Sequence, residues 1–357
     1  MAAGNFTASD MNTAQVKLES MFADPNTART EMQKGEAATA RALLSRQTAT
    51  ASPILKDGKC VAVDAWFYRP GAADSLSQVA GLSGCALPTS TEGETAKETY
   101  ETDVIASASV KLKDNRCANL IDFQEEFMWA QKHVMALLRY GLNTTVVIPG
   151  LSAATQANLD TMIDGSWDDT SQTPRIVVPT ADFTYANLNE FRIVAQNNGF
   201  GDFFFVSGRL FNDDHWMAML NRLNETQRNQ ALAWANREIY FDERDLDVTM
   251  TRKTAFAVDA NSYIFWNSFR SSPAVTLTDP ENNRFQWAMP DPFLTYRDGG
   301  RERPVVYEFE MTKTCGARDA HGFPQYTYNM WGRLVGGFSF APVGPNDETG
   351  VLQFAES

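Results

Sequence analysis

The chain is 357 residues long, 43% hydrophobic and formally charged at −13, long enough to bury one large core or two ordinary ones. That acidic balance argues against a general nucleic-acid or anionic-membrane binder, because phosphate affinity rests on Lys and Arg. Residues 1–10 carry neither a positive n-region nor an apolar h-region, and no uninterrupted apolar run reaches bilayer length, so synthesis and retention in a cytosol are expected.

Residues 1–50 are rich in Ala, Thr, Glu and Gln, with short helical patches at 16–22 and 41–44 but no sustained apolar face. A segment with so little core of its own reads as an arm that gains structure by lying on something else. Residues 54–68 are strand-like and rich in Val61, Val63, Trp66, Phe67 and Tyr68, with a turn at Lys56, Asp57 and Gly58. Residues 69–98 are dominated by Gly, Ala, Ser, Thr and Pro, the composition of a long two-stranded excursion that is marginal in isolation. From Tyr100 to Leu112 apolar and polar residues alternate with period two, as in a strand with unlike faces.

The longest helix expected covers 119–140, where Leu120, Phe123, Phe127, Ala130, Val134, Leu137 and Leu138 recur with helical period beside a wet flank. Asn119 is placed to cap its start, Glu125 and Glu126 fall in its first turns, Lys132, His133 and Arg139 lie towards its end, and Gly141 is expected to stop it. A short β-branched run follows at 144–148, then a helix at 152–163, a strand at 175–179 and a helix at 185–198 with Leu188, Phe191 and Val194 inward. Residues 203–206 form an unbroken apolar strand, and 213–223 and 225–236 read as helices; this alternation implies a compact α/β unit. The last third changes to strands at 254–258, 263–269, 285–289 and 305–314, expected to build one sheet, with 350–354 as an added edge strand.

A search for chemistry returns little. Phosphate loops, dinucleotide fingerprints and zinc-protease or C-x-x-C spacings are all missing. Cys60, Cys85, Cys117 and Cys315 are far apart and read as free thiols, and no two of His133, His215 and His321 stand at ligand spacing. Asn5, Asn143 and Asn224 open sequons that carry no weight without a secretory signal. Gly337 to Ala341 approaches a nucleophile elbow around Ser339 but lacks the second Gly and the following helix. Asp242, Glu243, Asp245 and Asp247 could gather a hard cation, although an exposed loop balanced by Arg244 is the preferred reading. Asn212, Asp213, Asp214 and His215 could pair a base with a carboxylate, although a helix cap ahead of Trp216 is preferred. The aromatic stretches 203–205, 264–266 and 326–331 could stack on bases, but no basic groove accompanies them, so core or subunit contact is favoured.

The order of these elements resembles the major capsid protein of tailed bacteriophages, the Hong Kong 97-like fold, an α+β class. The resemblance implies an N-terminal arm at 1–50, an extended β-loop at 51–113 and the spine helix of a peripheral domain at 114–150. It further implies an axial α/β domain at 151–252 and, at 253–357, return strands of the peripheral sheet with the C-terminus. The role implied is structural and non-enzymatic: self-assembly into hexamers and pentamers of an icosahedral shell in the host cytoplasm, enclosing double-stranded DNA in the virion. The partner is the chain itself, with scaffolding, portal and decoration proteins as further partners. Sequence-specific DNA contact, membrane, cofactor and metal are not implied. The arm is short, so a scaffold is expected as a separate protein, and no Lys–Asn cross-linking pair is matched. The alternatives are another virion component of tail or baseplate, and a cytosolic metal-dependent hydrolase using Asp242, Glu243, Asp245 and Asp247.

Overall fold

The structure is a computed structural model that describes residues 5–24, 37–69, 94–112, 120–157, 175–178, 184–186, 188–189, 203–208, 211–235, 239–241, 254–318, 322, 324–340 and 351–356. Helices and strands are mixed along the chain. The first helix, α1 (Ala8–Ala23), starts at a capping box in which Thr7 and Asp10 each satisfy the other's backbone N–H. It runs well upstream of the patch expected at 16–22, and its buried side is Met11, Ala14, Gln15, Leu18 and Phe22. A second short helix, α2 (Ala38–Arg46), has no cap from Ala37; the buried Asn143 Oδ1 accepts from Ala40 N–H at 3.1 Å instead. Both helices lie on the main core, as an arm without its own core must.

The hairpin β1 (Thr50–Lys56) and β2 (Lys59–Arg69) turns at Asp57 and Gly58, both at positive φ, as the sequence predicts for Asp-Gly. With β3 (Glu94–Glu101) it forms an antiparallel sheet in the order β1-β2-β3. The alternating stretch is then broken at Thr102. Its second half, β4 (Asp103–Lys111), joins a different sheet by pairing with the late strand β13 (Pro324–Phe340).

The long helix α3 (Leu120–Gly141, 22 residues) buries Phe123, Phe127, Ala130, Val134, Met135 and Leu138 as the period requires. It does not stop at Gly141. A six-residue π-helical turn, Leu142–Val147, carries it into α4 (Ile148–Ala157), so the β-branched run is helical. Three local features permit this. The Thr144 and Thr145 hydroxyls donate to the carbonyls of Tyr140 and Gly141 four residues back, which ties the side chains into the turn. Pro149 has no N–H to lose from an α-type ladder, and the turn is tied down by burial of Leu142, Asn143 and Val147. By length and composition the continuous helix Leu120–Leu151 could cross a bilayer, contrary to the reading above; half of its apolar window is buried in the protein, as expected of a core helix.

The remaining strands divide between two sheets, which corrects the expectation of one. Six strands, in the order β10 (Thr276–Asp279), β11 (Arg284–Asp298), β12 (Arg301–Arg318), β13 and β4, with β9 (Tyr263–Asn267) on the far half of β13, make the sheet under α3. The second sheet runs β5 (Arg175–Val178), β14 (Val351–Glu356), β8 (Thr254–Asp259), β6 (Phe203–Gly208) and β7 (Ile239–Phe241). Strand β14 is interior, parallel to β5 and antiparallel to β8, where an edge was expected. Two helices follow β6, α5 (Met217–Arg222) and α6 (Glu225–Ala235); α6 lies against β6 and is capped by Asn224 Oδ1, which accepts from Gln227 N–H at 2.9 Å.

Gly332 fixes how closely α3 approaches the sheet. A Cβ there would run into Val134 Cγ1 and lie 3.0 Å from Leu138 Cδ1 and 3.3 Å from the Phe309 ring. Val134 is β-branched and cannot swing away. Gly332→Ala should therefore destabilise the protein by about 1–3 kcal/mol through overpacking, read as a lower urea midpoint at unchanged slope.

Candidate functional site

Catalysis needs convergent reactive groups, and assembly needs rigid surfaces that leave apolar side chains in water. The two can be told apart residue by residue. The long helix is held rigidly. Arg139 Nε reaches Asp291 Oδ2 at 2.6 Å, both side chains buried, and Tyr307 OH donates to the same oxygen at 2.8 Å. Asp291 Oδ1 accepts from the N–H groups of Phe293 and Leu294, which pins the irregular stretch of β11 to the helix. Burial, with the Asp291 carboxylate beside it, pushes the Tyr307 phenol well above its ordinary range.

Side-chain amides complete the frame by acting as strand surrogates. Asn12 exchanges two hydrogen bonds with the backbone of Val275, at 2.8 and 3.1 Å, and Gln47 does the same with Phe265 at 2.8 and 3.1 Å. Asn267 does so with Val306 at 2.7 and 3.1 Å. The N-terminal segment is fastened by Lys313 to Asn5, by Tyr328 OH to the Phe6 N–H, and by the Phe6 ring stacked on Phe123 at 4.0 Å.

Two exteriors contrast with this filled interior. The outer side of α3 exposes Ile121, Trp129, Leu137 and Tyr140, with Trp129 stacked on His133 at 5.2 Å. Leu120 and Leu137, expected inward, are exposed, while Gln124, Glu126, Gln131 and Arg139 are buried. The sheet β1-β2-β3 is anchored by a small cluster of Ala49, Val63, Ala65, Ile264 and Trp266, by Tyr100 stacked on Trp266 at 5.6 Å, and by Trp266 Nε1 donating to Thr102 Oγ1 at 3.1 Å. Burial pushes the Tyr100 phenol up to about 12. The other face of this sheet leaves Ile54 and Trp66 exposed, and Leu55 and Val61 are exposed near the hairpin turn.

A groove of about 420 Å³ opens on the outer face of the six-stranded sheet, lined by Ser107, Ser109, Glu308, Glu310, Trp331 and Arg333 among others. Its carboxylates are committed. Glu308 accepts from the N–H groups of Arg270 at 2.7 Å and Ser271 at 3.1 Å, and from Arg333 at 2.8 Å, while Glu310 pairs with Arg284. Burial pushes the Glu308 carboxyl up, but the Arg270 N–H, the Arg333 guanidinium and the Ser271 N–H outweigh it and hold it below the ordinary carboxylate range. A carboxylate so saturated is a poor general base.

The residues singled out from sequence do not converge. Ser339 lies within β13 opposite Ile264, so it sits on no elbow. Asn212, Asp213, Asp214 and His215 lie in a π-helical turn, Asn212–Trp216, that follows the helical Phe211, and buried His215 packs beside Phe211. Cys60 and Cys315 are free thiols, and Cys60 Sγ donates to Ala62 O. Asp242, Glu243, Asp245 and Asp247, together with Cys85, Cys117 and His321, lie outside the described residues. Among the described residues, no three His, Cys, Asp or Glu side chains cluster as metal ligands. Sequence reading missed the apolar outer row of α3, although Ile121, Trp129 and Leu137 at spacings of eight signalled it.

No protein-family profile and no curated protein matches the chain. Solved structures do. A chain from Mycobacterium phage Bobi is similar at a TM-score of 0.41 and 11% identity, covering 85% of this chain and 88% of that one. The Cyanophage Pam1 capsid asymmetric unit gives a TM-score of 0.45 at 13% identity, with 83% and 85% covered. A chain from Mycobacterium phage Adephagia gives 0.44 at 10% identity, with 90% of each covered.

The Glu308 cluster has a pH signature. A carboxyl whose folded pKa lies below its unfolded value stabilises the fold above the unfolded pKa and loses that contribution as pH falls through the folded pKa. Glu308→Gln should cost about 1–3 kcal/mol at pH 7 and converge on wild type under acid conditions, in denaturant titrations at several pH values.

Proposed function

We propose that this chain is the major capsid protein of a tailed bacteriophage, with the Hong Kong 97-like architecture. It would assemble as hexamers and pentamers of an icosahedral shell around double-stranded DNA in the virion. One observation carries the reading: a rigidly cross-braced helix and sheet present exposed apolar side chains on two separate surfaces, the outer side of α3 and the open face of β1-β2-β3. Large apolar side chains left in water on a braced frame are what copies of one subunit would cover in an assembly.

In this reading residues 1–50 are the arm, 51–113 the extended loop, 114–150 the spine, 151–252 the axial domain, and 253–357 the return to the peripheral domain and C-terminus. The membership of β8 and β14 in the sheet of β5, β6 and β7 adds two late strands to the axial layer. A net charge of −13 suits a container that encloses DNA without adsorbing it. Scaffolding, portal and decoration proteins would be separate partners, and assembly would take place in the host cytoplasm.

The loop supplies the test. In this account residues 72–95 clasp a neighbouring subunit, so a chain lacking them should remain a folded, soluble protomer that sediments slowly where the full chain forms large particles. Normal particles from the deleted chain would remove the loop from the assembly mechanism.

A further inference from the structure

Five residues on α3 occupy one i, i+4 row: Ile121, Glu125, Trp129, His133 and Leu137. All five are exposed, Ile121 at 66%, Trp129 at 44% and Leu137 at 39%, while Phe123, Phe127, Ala130 and Val134 on the opposite side are fully buried. The row spans about 24 Å at 1.5 Å per residue. Its order is apolar, acidic, aromatic, basic, apolar. Reversed about Trp129, the pattern keeps its apolar ends and exchanges acid for base.

We propose that this row is a two-fold contact on which a second copy of the chain packs its own long helix in antiparallel sense. A two-fold interface is self-complementary: residue i meets residue j, and j meets i. About an axis at Trp129, Glu125 faces His133 of the second copy, twice over, with the two Trp129 rings at the centre; Ile121 and Leu137, each turned about 80° round the helix from Trp129, lie at the margins of the contact. The imidazole N–H donates to the carboxylate in either charge state of the histidine. The ring of His133 is already held by stacking on Trp129, interplanar angle 6°, which lowers the entropy lost on pairing. A parallel arrangement about the same residue would set Glu125 against Glu125 and His133 against His133. The pattern therefore selects the antiparallel pair as well as the partner.

The inference rests on the assembly reading in one respect, that the partner is a copy of this chain. An icosahedral shell needs two-fold contacts between its rings as well as the rotational contacts within them, and the row supplies a candidate for the former.

Charge reversal tests it on exposed positions that leave the buried side of α3 untouched. Glu125→Lys and His133→Glu, made singly, each set like charges or two donors face to face and should raise the concentration needed for association about tenfold. The double variant Glu125→Lys/His133→Glu regenerates opposite charges across the axis and should return it to the wild-type value, read by sedimentation velocity with circular dichroism to confirm folding. Ile121→Asp should release free rings from shells in electron micrographs. Shells formed equally well by wild type, both single variants and Ile121→Asp would overturn the two-fold row and leave the capsid reading intact. A wild-type dimer that obeys the charge-reversal pattern but never closes into rings or shells would uphold the row and overturn the capsid reading. A wild type that stays monomeric at every concentration would overturn both.

Discussion

A helix of 22 residues that turns Gln124, Gln131 and Arg139 inward together with its apolar face draws partners from several sides, since a buried polar group without a hydrogen bond costs more than its burial returns. That demand organises the fold. Lys17 on α1 supplies Gln124, Met289 on β11 receives the Gln131 amide, and Asp291 receives Arg139. The N-terminal helix, the long helix and the six-stranded sheet are therefore tied to one another, and Gly332 lets the helix and sheet come close enough to pack without a gap. Strain or charge introduced at any of these contacts is felt across the layers, because close-packed interiors transmit it.

The rigidity has a functional counterpart. A side chain that must meet a neighbouring molecule in one geometry is best carried on a regular element whose position is already fixed. The outer row of α3 and the open face of β1-β2-β3 are of this kind: their backbones are secured by burial and paired strands, while Trp66, Ile54, Ile121 and Trp129 project outward. The groove beside Trp331 is different in character. Its ionised groups already neutralise one another, Glu308 with Arg333 and Glu310 with Arg284, so it brings shape to a surface without unspent charge.

Local pattern carried much of the fold. The helical period at Phe123, Phe127, Ala130, Val134 and Leu138 marked the long helix, Asp57-Gly58 marked a hairpin turn, and the alternation of Val305, Tyr307, Phe309 and Met311 marked a strand whose buried side is formed by those residues. The failures came where tertiary context overrides local preference. Gly141 and the β-branched run after it favour an end to the helix, but a π-turn tied by the Thr144 and Thr145 hydroxyls continues it. Which sheet β8 and β14 join is decided by pairing with strands far away in sequence, and no local period records that. The candidate surface was half legible. His133 was read on the polar side towards the helix end, whereas Trp129 drew no reading and Leu137 was assigned to the core because its spacing fits either side of a helix boundary.

The claim on which the account depends is that this chain is a subunit built to be completed by copies of itself. Negative-stain electron microscopy of the purified full-length protein, taken across protein concentration and salt, tests it most directly. The account expects closed icosahedral shells, or rings of six and five where assembly is partial. Tubes would move the chain to a tail component, and uniformly small, compact particles at every concentration would contradict the assembly role itself.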